Sequence, residues 1–286
     1  MGDSKPLLTA TRWGNTEFRW GERTYIMGIC NLSPDSFSGD GLGSDIEVTL
    51  AQAKRMVAEG ADIIDVGGES TRPGTEPVSA DDIDKELRLV IPAIERLAGE
   101  ISVPISIDTY KSGVASRALQ AGASMINDIW GLKKDPGLAQ VAAESGVPII
   151  LMSNQRDAPC DDIMPAVISD LERGIDLAMR AGIPEHNIII DPGIGFGKTV
   201  AQNLEILQRL AELKSLGRPI LLGTSRKSVI GRVLDLPADQ RLEGTAATVA
   251  IGIASGADMV RVHDVRAMVR VCGMSDAIIR RRFVGD

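Results

Sequence analysis

The sequence predicts an α/β protein, a single-domain (β/α)8 TIM barrel preceded by a short N-terminal β-hairpin. Three observations carry the prediction. Short runs rich in Ile and Val, about eight of them, alternate with longer amphipathic segments, the pattern of a parallel sheet covered by helices. A weak internal repeat marks the passage from helix to strand in Glu59-Gly-Ala-Asp-Ile-Ile-Asp, Ala121-Gly-Ala-Ser-Met-Ile-Asn and Ser255-Gly-Ala-Asp-Met-Val-Arg, with Gly where a left-handed C-cap is needed. No linker, charge block or low-complexity tract divides the 286 residues, which favours one barrel over two domains. The expected division is an N-terminal extension at 1–24 carrying the hairpin and a barrel at 25–286.

In chain order, residues 13–24 alternate polar and apolar around Gly21, as a hairpin does ahead of the first barrel strand. The strand runs then fall at 25–31, 63–66, 104–108, 125–128, 148–152, 188–191, 220–223 and 259–262. Between them, 46–59 and 79–97 read as amphipathic helices, and Ser79 followed by Asp82 offers the second a capping-box-like start. With aromatics at only 3%, the core must be aliphatic, and a hydrophobic content of 44% suffices to fill it.

Charge and cysteine content narrow the function. A net charge of −8 and a pI near 5.0 give nucleic acid or an anionic membrane no general electrostatic reason to bind. The expected partner is a small molecule, its anionic groups held by a local cluster. Cys30, Cys160 and Cys272 are odd in number, far apart and without a CxxC, which disfavours both a disulfide framework and a thiolate zinc site. A reducing cytoplasm is the expected location. No apolar stretch approaches the ~18 residues of a membrane span, and the first twenty residues lack signal-peptide order.

In a barrel of this kind the loops after the strands build the active site, so polar residues at strand ends are informative. Here nearly every strand run ends in one: Asn31, Glu69 to Arg72, Asp108, Asn127 with Asp128, Ser153 with Asn154, Asp191, Ser225 to Ser228, and Arg261 with His263. Asp and Asn together suit a planar heterocycle that presents both donors and acceptors. Arg and His beside them suit a phosphate. The stretch Asp191-Pro-Gly-Ile-Gly-Phe-Gly-Lys198-Thr fails the P-loop pattern because Pro192 stands where its first Gly is required. Its glycines either relieve a turn or let a ligand approach the backbone. The long loop from Asn31 to Gly43 and the neighbouring one from Glu69 to Thr75 suggest a closing lid.

These motifs also carry a family resemblance. Asn31-Leu-Ser-Pro-Asp-Ser-Phe-Ser, Asp65-Val-Gly-Gly-Glu-Ser-Thr-Arg-Pro-Gly, Ser106-Ile-Asp-Thr, Ile126-Asn-Asp-Ile, Asp191-Pro-Gly-Ile-Gly-Phe-Gly-Lys, Ser225-Arg-Lys-Ser and Arg261-Val-His-Asp-Val together resemble the dihydropteroate synthases, from about Tyr25 to the C-terminus. The resemblance implies a folate-pathway transferase that joins p-aminobenzoate to the dihydropterin diphosphate and releases pyrophosphate. It implies that Asp108, Asn127, Asp191 and Lys227 hold the pterin, and that Arg261 stacks on it and reaches the diphosphate with His263. Asn31 would ligate Mg²⁺ and a phosphate oxygen. Thr71, Arg72, Pro73, Phe196, Lys227 and Ser228 would surround p-aminobenzoate, with Asp35, Phe37 and Arg72 on the lid loops. Lys227, Arg261, His263 and Asp108 form the implied catalytic set. A homodimer without nucleic-acid or membrane partners, and a target for sulfonamides, completes the implication.

Two departures from the family pattern stand out, Gly39-Asp40 in the first loop and Met152-Ser153-Asn-Gln in place of a Met-His-Met. Two rival readings share the pterin pocket: a corrinoid-dependent methyltransferase using methyltetrahydrofolate, and a non-catalytic pterin-binding paralogue. The first has no need of the diphosphate residues Arg261 and His263. The only hint of the second is the altered loop at Gly39-Asp40.

Overall fold

The computed structural model describes residues 8–32, 46–69, 83–157 and 160–281. Eight parallel strands form one sheet: β3 (Tyr25–Asn31), β4 (Ile63–Gly67), β5 (Ile105–Asp108), β6 (Met125–Asp128), β7 (Ile149–Met152), β8 (Ile188–Asp191), β9 (Leu221–Leu222) and β10 (Met259–Val262). Strand β10 lies between β9 and β3, and the bridge from Ile190 to Ile220 joins β8 to β9, which closes the barrel. Around it run α1 (Ile46–Ala58), α2 (Ile83–Ala98), α3 (Ser112–Gln120), α4 (Gly137–Ser145), α5 (Ile163–Arg180), α6 (Val200–Gln208), α7 (Ser228–Leu234), α8 (Leu242–Ala254) and α9 (Val265–Ile279). The predicted barrel is therefore present. Among the described residues no helix is long and apolar enough to cross a membrane.

The N-terminal hairpin also forms, but its turn is not at Gly21. Strands β1 (Ala10–Trp13) and β2 (Thr16–Arg19) pair antiparallel, with Trp13 opposite Thr16, so the chain reverses at Gly14 and Asn15. Gly21 lies in the later turn that leads to β3. The hairpin places Trp13, Phe18 and Trp20 against Tyr25, where Phe18 stacks on the Tyr25 ring at 4.2 Å. This aromatic group packs on Met27, Ile63, Met125, Ile150, Ile189, Leu221 and Met259, so it plugs the N-terminal mouth of the barrel. The larger core, between barrel and helices, is aliphatic as the composition requires.

The repeated glycine has one structural meaning. After α1, α3 and α8, the amides of Gly60, Gly122 and Gly256 donate to Val57, Leu119 and Ile253, while those of Ala61, Ala123 and Ala257 donate to Met56, Ala118 and Gly252. This is the Schellman pair, and the glycines take φ of +105°, +118° and +103°. Gly182 closes α5 in the same way, a fourth copy that the sequence disguises with Ile183 in place of Ala. The caps at Gly60, Gly122 and Gly256 turn the chain directly from helix into buried strand, whereas a 3-10 turn at Glu185–Asn187 follows Gly182 before β8.

Candidate active site

Side chains alternate along a strand, so residues of one parity share the barrel interior. Met27, Ile63, Met125, Ile150, Ile189, Leu221 and Met259 occupy that parity at the plugged end. Counting upward in twos from them reaches Asn31, Asp65, Asn127, Asp191, Gly223, Arg261 and His263, while Asp108 pairs in register with Gly67 and Asn127. Apolar layers below thus give way to a polar layer at the strand ends, as the active-site face of such a barrel demands.

Arg261 is the hub of this layer. Its Nε donates to Asp65 Oδ2 at 2.6 Å and its Nη2 to Asp108 Oδ2 at 2.8 Å. Asn127 Nδ2 donates to the same Asp65 oxygen at 3.0 Å. The guanidinium is partly withdrawn from water, which disfavours its charge, but the two carboxylates hold its pKa above the ordinary value. Asp108 shares that one cation with Asp65, and burial pushes its carboxyl up although Arg261 opposes the rise. Asn31 stands on the neighbouring strand: a Cβ at Gly67 would lie 3.6 Å from both Asn31 Oδ1 and Asp108 Oδ2.

Asp191 and Lys227 converge from the other side. A Cβ at Gly223 would lie 3.7 Å from Lys227 Nζ, 3.9 Å from Asp191 Oδ2 and 3.8 Å from Arg261 Cβ, so this glycine keeps open the spot where the three residues meet. Asp191 Oδ1 accepts the Gly193 amide at 2.7 Å, and Lys227 Nζ donates to the Ile194 carbonyl. Removal from water lowers Lys227 to about 8. Its ammonium also lies over the Phe196 ring at 4.7 Å, with Arg156 over the same ring at 4.8 Å. Lys227 caps the start of α7, of which Ser228 is the first residue.

His263 is held as a neutral donor-acceptor rather than as a cation. Burial, with Arg226 and Arg261 nearby, drives its pKa down to about 3. Ser225 Oγ lies 2.9 Å from its Nδ1 and accepts the His263 backbone amide at 3.1 Å. The residue between Ser225 and Lys227, Arg226, takes φ +55°, a conformation that costs a non-glycine residue roughly 1–3 kcal/mol. A two-pronged bond to Asp264, at 2.9 and 2.6 Å, and the bond from its amide to Thr245 Oγ1 hold it there.

The glycine-rich stretch after β8 answers a question that the sequence left open. A Cβ at Gly193 would lie 2.0 Å from the Ser153 carbonyl oxygen, and one at Gly197 2.3 Å from the backbone of Gln155 and Arg156. What the glycines admit is the chain's own β7 loop. Lys198 fastens the two together: its Nζ donates to the carbonyls of Ser153, Gly193 and Phe196 at 2.9, 2.9 and 3.2 Å. Lys198 is thus turned into the fold rather than toward solvent. Ser153, the departure from the family pattern, donates to Asp170, which also pairs with Lys133. The end of β7 thus serves as a brace.

Of the residues singled out from sequence, the structure brings Asn31, Asp108, Asn127, Asp191, Phe196, Lys227, Ser228, Arg261 and His263 to one end of the barrel. Asp35, Phe37, Thr71, Arg72 and Pro73, with Gly39-Asp40 and the Ser79 cap, lie outside the described residues. Sequence reasoning missed Asp65 as a site residue. The available signal was its inward parity within an otherwise apolar strand.

A barrel whose strand ends interlock acids, an amide and half-buried cations is suited to a polar heterocycle with an anionic appendage. A model of the pterin binding enzyme family matches residues 27–263. The dihydropteroate synthase of Bacillus subtilis is 53% identical over 260 residues, covering 91% of this chain and 90% of that protein. The structure of a dihydropteroate synthase from Clostridium difficile in the presence of pteroic acid aligns with a TM-score of 0.86 at 51% identity, over 92% of this chain and 99% of that one. A Yersinia pestis dihydropteroate synthase in a sulfonamide drug complex aligns at 0.89 with 36% identity, over 96% and 100%. The chain belongs to the pterin binding enzyme family.

Proposed function

We propose that the chain carries out the dihydropteroate synthase reaction, condensing p-aminobenzoate with (7,8-dihydropterin-6-yl)methyl diphosphate to give 7,8-dihydropteroate and pyrophosphate. The observation that carries this reading is the convergence of Asp191 and Lys227 beside Gly223, facing the Arg261–Asp108–Asn127 group. An ionised Asp191 accepts from the pterin 2-amino group and the adjacent ring N–H, while the Lys227 ammonium donates to the ring carbonyl. Asp108 and Asn127 serve the remaining polar edge. Phe196 and Ser228, together with Thr71, Arg72 and Pro73, form the p-aminobenzoate side, where a sulfonamide competes. Asp35, Phe37 and Arg72 close over it.

The chemistry asks little of a base. The bond from the pterin methylene to the diphosphate oxygen breaks first, and the electron-rich dihydropterin ring stabilises the resulting cation. The arylamine nitrogen then forms the new C–N bond and loses a proton. Stabilising the departing diphosphate is the main task, and Arg261, with His263 as a neutral donor, is placed for it. Asn31 would hold Mg²⁺, which neutralises diphosphate charge when bound. One amide oxygen at a strand end suits a hard cation that takes its other ligands from substrate phosphate and water. The described residues contain no cluster of three acids, cysteines or histidines that would hold a metal by protein alone.

Ile251 on α8 and Met274 and Ile278 on α9 are exposed apolar side chains on adjacent helices, which supports a homodimer through that face. A cytoplasmic location fits the free thiols of Cys30, Cys160 and Cys272. The deciding experiment is pyrophosphate release by the purified protein. Release that requires p-aminobenzoate and yields dihydropteroate supports the reading; methyl transfer, or pterin binding without turnover, would replace it with one of the two rivals.

A further inference from the structure

Ser225 and His263 stand at the ends of neighbouring strands, Ser225 in the turn after β9 and His263 directly after β10. Two hydrogen bonds join them. Ser225 Oγ accepts the His263 backbone amide at 3.1 Å and lies 2.9 Å from Nδ1 of the ring. Which atom of the second bond carries the proton follows from the donors and acceptors at hand. A hydroxyl has one proton to give. Ser225 is 5% exposed, and among the described residues its Oγ meets no acceptor other than Nδ1. A proton on Nδ1 instead would bring two donors to the oxygen and leave the hydroxyl's own proton buried without a partner, the less stable arrangement. The hydroxyl therefore donates to Nδ1.

A second proton on the ring is opposed by its burial and by Arg226 and Arg261 nearby. A neutral imidazole that accepts at Nδ1 carries its hydrogen on Nε2. Nε2 makes no hydrogen bond among the described residues, and His263 shares the inward parity of Arg261. The start of α8 keeps Ser225 in place by gripping both of its neighbours. Thr224 Oγ1 is bonded to Thr248 Oγ1 at 2.8 Å, the Arg226 amide donates to Thr245 Oγ1 at 3.1 Å, and Arg241 Nη1 donates to the Arg226 carbonyl at 2.9 Å.

We propose that Ser225 is a positioning residue for the leaving group: its hydroxyl fixes His263 as the Nε2–H tautomer, so that the ring presents a hydrogen-bond donor, not a lone pair, to the diphosphate. This inference rests on the proposed diphosphate role of His263. As the C–O bond breaks, its electron pair goes to the diphosphate oxygen and the proton stays on Nε2, so His263 steadies the developing charge without acting as a general acid.

The test uses the whole chain with nitrogen-labelled histidine. The sequence holds two histidines, and the exposed His186 is assigned by His186→Gln. At neutral pH, proton–nitrogen correlation NMR should show His263 with an unprotonated Nδ1 and a protonated Nε2. In Ser225→Ala the ring should become a mixture of the two neutral tautomers. The Kd for inorganic pyrophosphate should then rise about tenfold and kcat/KM for the pterin diphosphate fall about tenfold, with KM for p-aminobenzoate within about twofold. Ser225→Thr, which keeps a hydroxyl, should recover most of the loss. A parent His263 protonated at Nδ1, alone or together with Nε2, overturns the inference. A Ser225→Ala ring that stays wholly Nε2–H, or an unchanged pyrophosphate affinity in that variant, overturns it too. The parent spectrum places the proton even if Ser225→Ala does not fold. It also needs no turnover, so a wrong tautomer and a failure of the proposed activity are read separately.

Discussion

Arg261 Nε lies 2.6 Å from Asp65 Oδ2, an ion pair that ties β10 to β4 across the intervening β3 inside the barrel. The same Asp65 oxygen holds the Asn127 amide at 3.0 Å, so one carboxylate aims both a cation and an amide at the strand ends. Asp65 is fully buried and sits beneath the residues proposed to touch substrate.

Asp65→Asn should therefore damage binding as well as folding. Removing one charge of a buried, hydrogen-bonded pair costs about 2–5 kcal/mol, and here Arg261 keeps Asp108, so the lower part of that range is expected. Denaturant unfolding and calorimetry with the pterin diphosphate measure the two effects separately. A variant that loses stability but binds pterin with unchanged affinity would show that Arg261 needs no aiming by Asp65.

Asp191→Asn isolates the opposite side. The carboxylate already accepts the Gly193 amide through Oδ1, and its remaining acceptor capacity is proposed for the pterin 2-amino group and ring N–H. An amide in its place accepts with one oxygen and presents an NH2 to a donor. A loss of roughly 2–4 kcal/mol in pterin binding is expected, with a much smaller loss of stability. Calorimetry that returns an unchanged Kd removes Asp191 from the pterin site.

The barrel was legible because its signals are periodic and local: short Ile/Val runs, glycine C-caps, and polar residues recurring at strand ends. Site residues on the strands could be read for the same reason, since inward parity puts Asp108, Asn127, Asp191 and Arg261 in one layer. The rest depended on distant partners. Asp65 is flanked by Ile63, Ile64 and Val66 and reads as part of an apolar strand, because its partner Arg261 is 196 residues away. Lys198 reads as a solvated charge until the Ser153 carbonyl, 45 residues earlier, is laid against it. Gly14 and Gly21 are both plausible hairpin turns, and alternation alone does not choose between them. The packing of Trp13, Phe18 and Trp20 into the barrel mouth does.

Lys227→Ala and Lys198→Ala should both lose activity, by different routes. Lys227 faces the proposed pterin position, so its loss should abolish turnover while the fold survives. Lys198 bonds three carbonyls that hold the glycine-rich turn against the β7 loop, and truncating it leaves them without their donor. A destabilisation of about 1–3 kcal/mol is expected, with activity falling because Phe196 and Ile194 are displaced. Thermal unfolding beside steady-state kinetics separates the two. Equal midpoints with equal activity losses would mean that Lys198 belongs to the catalytic group instead.

The pH dependence should report Lys227. Removal from water lowers its ammonium from 10.5 to about 8. For a group depressed on folding, the stabilising contribution is fully present above the unfolded value and is lost as pH falls through the folded one, so Lys227 costs stability below about pH 8. Activity runs in the opposite direction, because only the protonated amine can donate to the pterin carbonyl. His263, already neutral above about 3, adds no limb between mildly acidic and neutral pH. Hence kcat/KM for the pterin diphosphate, which reports the free enzyme, should fall as pH rises through about 8 while stability does not fall with it. In Lys227→Arg the group stays charged, so whatever activity remains should lose that limb. A profile of the parent that is flat across pH 8, or a limb that persists unchanged in Lys227→Arg, would show that the titrating donor is another group.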